Sequence, residues 1–320
     1  QDQDAAFKKV KALALSINPH NGRFFNLAGK FVSRHHRYAD AAKLNKMALS
    51  VDPQNADALA DLGINQLRTG EYGMGWYNLK EAYKLDAFNH KTVNLLTLHD
   101  ELPKRYVWHE VGKIKFLIPK DEVKLISRYV PQVLNRTVRT YIKKYRYTPH
   151  IPVYMELYDK AQDFQARTFG EPAETGIMGV CFGKVVTSMS PSLGRTNWAY
   201  VLWHELAHVI HVQMTSGKVP RWFTEGLAEY ETVVARPEWK REYSRDLYRM
   251  RATGTMPSVM VLNLRFTRSK TIRGIIMAYY QSTLIMEYLH KRWGWSKIVE
   301  ALNAYSKGKD TRQVLREVFE

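Results

Sequence analysis

The 320-residue chain carries 48 Lys and Arg against 31 Asp and Glu, a formal charge of +17, with 45% hydrophobic residues and a single cysteine. The apolar fraction excludes a disordered chain, a lone Cys181 excludes an internal disulfide or a multi-cysteine metal site, and no apolar run reaches the roughly 20 residues that cross a bilayer. The length predicts about two domains. At the amino terminus, Gln1 replaces a starting Met and no basic-then-apolar leader comes after it. A processed or truncated form is therefore expected, with the compartment open and an exported location, periplasmic or secreted, favoured.

In chain order the first signal is a repeat. Ala14-Leu15-x-Ile17-Asn18-Pro19 recurs as Ala48-Leu49-x-Val51-Asp52-Pro53 and again as Ala82-Tyr83-x-Leu85-Asp86, 34 residues apart each time. Gly29 and Gly63, Arg34 and Arg68, and Tyr38 and Tyr72 keep the same offset. Small residues at fixed positions of a 34-residue period predict helix–turn–helix units that stack closely on copies of themselves. Pro19 and Pro53 punctuate them, because proline cannot continue a helix and biases its predecessor away from the α region. The pattern resembles tetratricopeptide repeats over roughly residues 1–102. That resemblance implies a concave surface for a partner protein, or else a spacer for the second domain.

Leu102-Pro103-Lys104 marks the expected boundary, giving helical repeats at 1–102 and a second domain at 103–320. Residues 121–147 predict a basic amphipathic helix with Val123, Ile126, Val130, Val133, Leu134, Val138 and Ile142 on one stripe. Ile151–Leu157 predicts a strand, a glycine-rich stretch runs from Gly170 to Gly183, and Val185, Val186, Thr187, Ser188, Met189 and Ser190 predict a second strand. From Asn197 onward most of the chain predicts helix. The positive charge is concentrated: residues 104–150 hold 12 basic and 3 acidic side chains, and Arg236–Arg273 holds 10 and 3. Such runs are solvated faces or attract acidic substrates, anionic surfaces or polymers. No nucleic-acid module interleaves them, so specific nucleic-acid binding is not expected.

The chemistry concentrates at 204–229. In His204-Glu205-Leu206-Ala207-His208, residues i and i+4 lie one turn apart on one helical face, so both imidazoles can address one zinc ion. Glu205 beside them suits a general base acting on water. After a turn at Gly217–Pro220, the segment Arg221-Trp222-Phe223-Thr224-Glu225-Gly226-Leu227-Ala228-Glu229-Tyr230 predicts an antiparallel return helix. Glu225 would supply a third ligand, and Glu229 at i+4 could accept a ring N–H from a ligand histidine. Three protein ligands and one open position is the catalytic zinc pattern.

This combination resembles the gluzincin metallopeptidases, in the branch called the peptidase MA-like family, often coupled to tetratricopeptide repeats. The resemblance covers about residues 110–320 and rests on HELAH at 204–208, WFTEGLAEY at 222–230, and Tyr279-Tyr280-Gln281-Ser282 continuing through Tyr288-Leu289 to Gly294. It implies that a tyrosine, Tyr279 or else Tyr280, stabilises the oxyanion. Metzincins would need Gly at 211 and His at 214, where this chain has His211 and Met214, and His211 is expected to pack or hydrogen-bond near the helix end. Aminopeptidases carry an acidic motif on the preceding strand. Lys184–Pro191 has no acidic residue, which favours internal cleavage, with Glu171 and Glu174 as substitutes in the loop before it.

The expectation is therefore an α+β protein: α-helical repeats, then a mostly helical zincin-like domain with a small sheet beside the zinc helix. His204, His208 and Glu225 would bind one Zn2+ per chain, with Glu205 and Tyr279 catalytic and Glu229 supporting a ligand. Val185–Ser190 would be an edge strand that receives a peptide or unfolded-protein substrate. The competing expectation is a weak or inactive scaffold whose repeats hold a partner protein.

Overall fold

Six helices occupy the first hundred residues: α1 (Asp2–Ile17), α2 (Gly22–Arg34), α3 (Tyr38–Val51), α4 (Ala56–Thr69), α5 (Tyr72–Leu85) and α6 (His90–Arg105). The starts of α2, α4 and α6 repeat every 34 residues because their caps do. The side-chain oxygens of Asn21, Asn55 and Asn89 accept from the N–H groups of Phe24, Ala58 and Thr92 at 3.0, 2.9 and 3.1 Å. Each bond satisfies a donor that has no partner inside the helix. Apolar residues Phe25, Val32 and Leu44 pack with Ala28, Ala41, Ala48 and Ala58. Beside them runs a neutral polar ladder in which Asn45 donates to Asn26 at 2.8 Å and Asn65 donates to Asn45 at 3.0 Å. α6 passes the boundary expected at 102 and carries Pro103 in its last turn, closing when the Tyr106 N–H donates to Leu102 O.

The computed structural model describes residues 2–172, 177–193, 197–269 and 271–320, and is mostly helical with five strands among them. It divides into two compact units: Gln1–Lys124, Ile151–Thr175 and Phe182–Arg195 form the first, and Leu125–His150, Gly176–Cys181 and Thr196–Glu320 the second. This division differs from the one expected at 102/103, because strands that come after the repeats in sequence cluster with them in space.

After α6 come β1 (Tyr106–Val111), β2 (Ile114–Pro119), α7 (Val123–Tyr145), β3 (Val153–Tyr158), α8 (Ala161–Phe169), β4 (Gly179–Cys181) and β5 (Val185–Met189). In the first unit β1 and β2 form an antiparallel hairpin around Gly112-Lys113, β2 runs parallel to β3, and β3 parallel to β5. The hairpin is absent from the sequence expectations. Its signal was a β-branched and aromatic run broken by a two-residue turn whose glycine has φ 62°. β3 and β5 coincide closely with the two expected strands. α7 fills the expected amphipathic helix, but its buried face is Ile126, Val130, Leu134, Thr137, Tyr141 and Tyr145. Val133, Val138 and Ile142 are only half-buried.

The second unit continues with α9 (Trp198–Thr215), α10 (Arg221–Ala235), α11 (Ser244–Ala252), α12 (Leu262–Arg268), α13 (Ile272–Trp293), α14 (Trp295–Ser306) and α15 (Thr311–Phe319). Asn197 caps α9, and Ser216 and Gly217 turn the chain through left-handed conformations, φ 52° and 72°. α10 then returns along α9 and also packs on α13. Gly226 makes that second contact possible: a Cβ there would lie 2.5 Å from the Ser282 carbonyl oxygen and 2.7 Å from its Cβ. Overpacking at such a crossing usually costs about 1–3 kcal/mol.

Candidate metal centre

α9 is apolar nearly all round, and Val201 through His211 are all buried. His204 and His208 therefore emerge on the side covered by α10. His208 Nε2 lies 3.0 Å from His204 Nε2 and 3.2 Å from Glu225 Oε2, and His204 Nε2 lies 3.4 Å from the same oxygen. Zinc–nitrogen and zinc–oxygen bonds of about 2.0–2.1 Å make tetrahedral edges of about 3.3–3.4 Å. The three donor atoms are thus already spaced as one face of such a tetrahedron. Together they form the cluster able to hold a metal ion among the described residues.

Electrostatics points the same way. Burial alone would lower His204, but Glu225, Glu229 and Glu205 outweigh it and push the imidazole up to about 9. Burial would raise Glu225, yet the charge of His208, bonds from both imidazoles and the Arg221 guanidinium hold it well below the usual carboxylate range. The site thus favours positive charge where the three donors converge. Glu205, 6% exposed, differs: burial raises its carboxyl against the opposing histidines, and its Oε2 has no hydrogen-bond partner. Gly179 of β4 lies against it, where a Cβ would sit 2.6 Å from Glu205 Oε1.

Around the donors, each side chain has a support. Glu229 Oε1 stands 3.5 Å from His204 Nδ1, a nitrogen with no other partner, and accepts from the Tyr200 hydroxyl. Arg221, one turn before Glu225, donates from Nε to Glu225 Oε1 at 3.2 Å. The Tyr279 ring lies 6.5 Å from the His204 ring and 5.0 Å from Phe266. Enclosure and the Glu225 charge raise its hydroxyl well above the ordinary value. Tyr280 turns away, donating to Glu242 at 2.6 Å.

Behind His208 runs a continuous hydrogen-bonded file. His208 Nδ1 is 2.8 Å from Thr224 Oγ1, which is 3.1 Å from His211 Nδ1. His211 Nε2 is 2.8 Å from the Tyr145 hydroxyl, which donates to Glu231 Oε1 at 2.8 Å, and Lys144 donates to Glu231 Oε2 at 2.6 Å. Thr224, His211, Tyr145 and Glu231 are all buried. Burial pushes His211 well below its ordinary pKa, with the two site histidines adding to the effect. It bonds near the helix end, as expected of it from sequence.

The structure therefore gathers His204, Glu205, His208, Glu225, Glu229 and Tyr279 in one unit. Val185–Ser190, the expected substrate strand, belong to the other unit. Those residues lie in the first unit, where Val185, Val186, Thr187, Ser188 and Ser190 are buried and β5 is hydrogen-bonded to β3. β4 is the strand beside Glu205, a role hidden in sequence by its three-residue length. Glu171 sits near Lys91 in the first unit, and Glu174 lies outside the described residues. Arg221, Thr224 and Tyr145 escaped sequence reasoning. The first had a signal, since i−4 from Glu225 shares its helical face, whereas Tyr145 had none.

Two imidazoles and a carboxylate converge from antiparallel helices, with a second carboxylate alongside, a donor set able to hold a metal ion and of the kind metal-dependent hydrolases use. The chain belongs to the peptidase MA superfamily, whose family model matches residues 137–320, more than half its length. At that level it is a peptidase, in a superfamily that is typically zinc-dependent. A comparison with curated proteins finds no match.

Proposed function

We propose that the chain is a zinc-dependent endopeptidase of the gluzincin type, with one zinc held by His204, His208 and Glu225. The observation that carries this reading is the 3.0–3.4 Å triangle of buried donor atoms beside an unpartnered Glu205 carboxylate. Zinc in such a site supplies Lewis acidity, lowering the pKa of water toward ~7 and polarising a carbonyl.

The chain's own residues do the rest. Glu205, held in a poorly hydrated position that raises its proton affinity, takes a proton from the attacking water and delivers it to the leaving nitrogen. Tyr279 keeps its proton at neutral pH and donates to the oxygen on which negative charge grows, a role usually worth roughly 2.7–4 kcal/mol. Arg221 holds Glu225 in place. Absence of an acidic residue in Lys184–Pro191 supports internal cleavage over removal of single amino-terminal residues. The helices with their 34-residue period support a tetratricopeptide-type surface for a partner protein, and the basic runs support attraction to acidic substrates. A peptide-library digest with the purified chain tests the reading. Defined internal cleavage products that vanish with Glu205→Gln are expected, and equal digestion by that variant refutes the mechanism.

A further inference from the structure

We infer that Thr224, His211, Tyr145 and Glu231 form a proton-ordered relay that fixes the ring tautomer of His208 and so presents its Nε2 lone pair to the metal. The inference rests on the zinc site proposed above and adds four positioning residues to it.

The direction of every bond is set from one end. Burial raises the Glu231 carboxyl, but the Lys144 ammonium at 2.6 Å and the Tyr145 hydroxyl both favour its ionised form, which can only accept. Tyr145 has one proton, and it goes to Glu231 at 2.8 Å. The Tyr145 oxygen must then accept from His211, which places the His211 proton on Nε2 and leaves Nδ1 with a lone pair. That lone pair takes the Thr224 hydroxyl proton. Thr224 Oγ1, its proton committed, accepts in turn from His208, so the His208 proton sits on Nδ1. Nε2 of His208 is left bare, and it is the atom 3.0 Å from His204 Nε2 and 3.2 Å from Glu225 Oε2.

Each member has one role and no spare proton, and the file is buried from Thr224 to Glu231. A wrong tautomer would leave at least one buried group unsatisfied. The two ligand histidines are thus supported differently: His204 faces the Glu229 carboxylate at 3.5 Å, whereas His208 reaches a carboxylate only through three intermediaries. Outer partners of metal-bound histidines typically contribute about 10–100-fold to affinity.

The experiment measures zinc affinity of the full chain by competition with a chromophoric chelator, without substrate. Thr224→Val should weaken binding about 10–100-fold, while Thr224→Ser, which keeps the hydroxyl, should restore it to near the original value. Tyr145→Phe keeps the ring that packs against Tyr141 and Trp295 and lies three hydrogen bonds from the metal. It should still weaken binding by about three- to tenfold. The double variant should bind no more weakly than Thr224→Val alone, because the file is already cut. Unchanged affinity in Tyr145→Phe, or fully additive losses in the double variant, would overturn the relay. Chain that binds zinc with this pattern yet cleaves no peptide would overturn the peptidase reading and leave the relay standing.

Discussion

Each compact unit buries carboxylates, and Glu156 of the first meets surroundings opposite to those of Glu205 in the second. In the first, Glu156 is 1% exposed and fully engaged: Tyr72 and Arg167 donate to Oε1 at 2.5 and 2.9 Å, and Tyr158 donates to Oε2 at 2.9 Å, with Arg167 Nε 2.8 Å away. In the second, Glu205 at 6% exposure has a bare Oε2, and Glu225 at 8% lies 3.2 and 3.4 Å from two imidazole nitrogens. A buried carboxylate without partners costs several kcal/mol. A satisfied one holds a fold together, and an unsatisfied one is tolerated where a ligand or a reaction will use it.

The largest effects should separate these two kinds of site. Glu205→Gln should cut turnover by about 10²–10⁴-fold while retaining zinc, and Glu225→Ala should lose zinc. In melting experiments Glu205→Gln should stay within about 1 kcal/mol of the parent, because no bond to Oε2 is removed. Glu156→Ala should do the reverse, costing about 3–5 kcal/mol of stability because Arg167 is left buried and unpaired. A Glu156→Ala chain that melts like the parent would erase the contrast.

Within the second unit, Tyr279→Phe should lower kcat by about 10²–10³-fold, whereas Tyr280→Phe, which loses only its bond to Glu242, should alter stability more than turnover. Comparable loss of kcat in both would mean that the two rings do not divide their roles in this way.

The response to pH should be smaller. In metal-free protein, His204 titrates near 9 against 6.5 for the free side chain. A raised folded-state value contributes stability that is fully present below pH 6.5 and is lost as pH climbs toward 9, on the order of 1 kcal/mol per pH unit. Chemical denaturation across that range should show the decline. Saturating zinc, which needs the neutral ring, should reverse it.

The smallest effect concerns charge. α11 carries Arg245, Arg249 and Arg251, all three exposed. Acidic peptides should be cleaved faster than basic ones of equal length, with the difference in kcat/KM shrinking as salt shortens the screening length below about 8–10 Å. Replacing the three arginines with alanine should reduce that preference, and an unchanged preference would assign them to solvent alone.

Local patterns in this chain proved readable wherever a single element contains the whole message. The 34-residue period sets where helices begin because its asparagines cap them, one donor at a time. The spacing of His204 and His208 alone puts both on one face of α9, and the Ser216–Gly217 turn needs no distant partner. Beyond the pairing of α9 with α10, contacts between elements were not readable. The β1–β2 hairpin, the grouping of β5 with the first unit, and β4 beside Glu205 depend on which surfaces meet. So does which ring stands near His204, Tyr279 doing so while Tyr280 bonds to Glu242. The file from His208 to Glu231 joins α7, α9 and α10, residues up to 86 apart in sequence. Periodicity reports which way a side chain faces along its own element, and only packing decides what it faces.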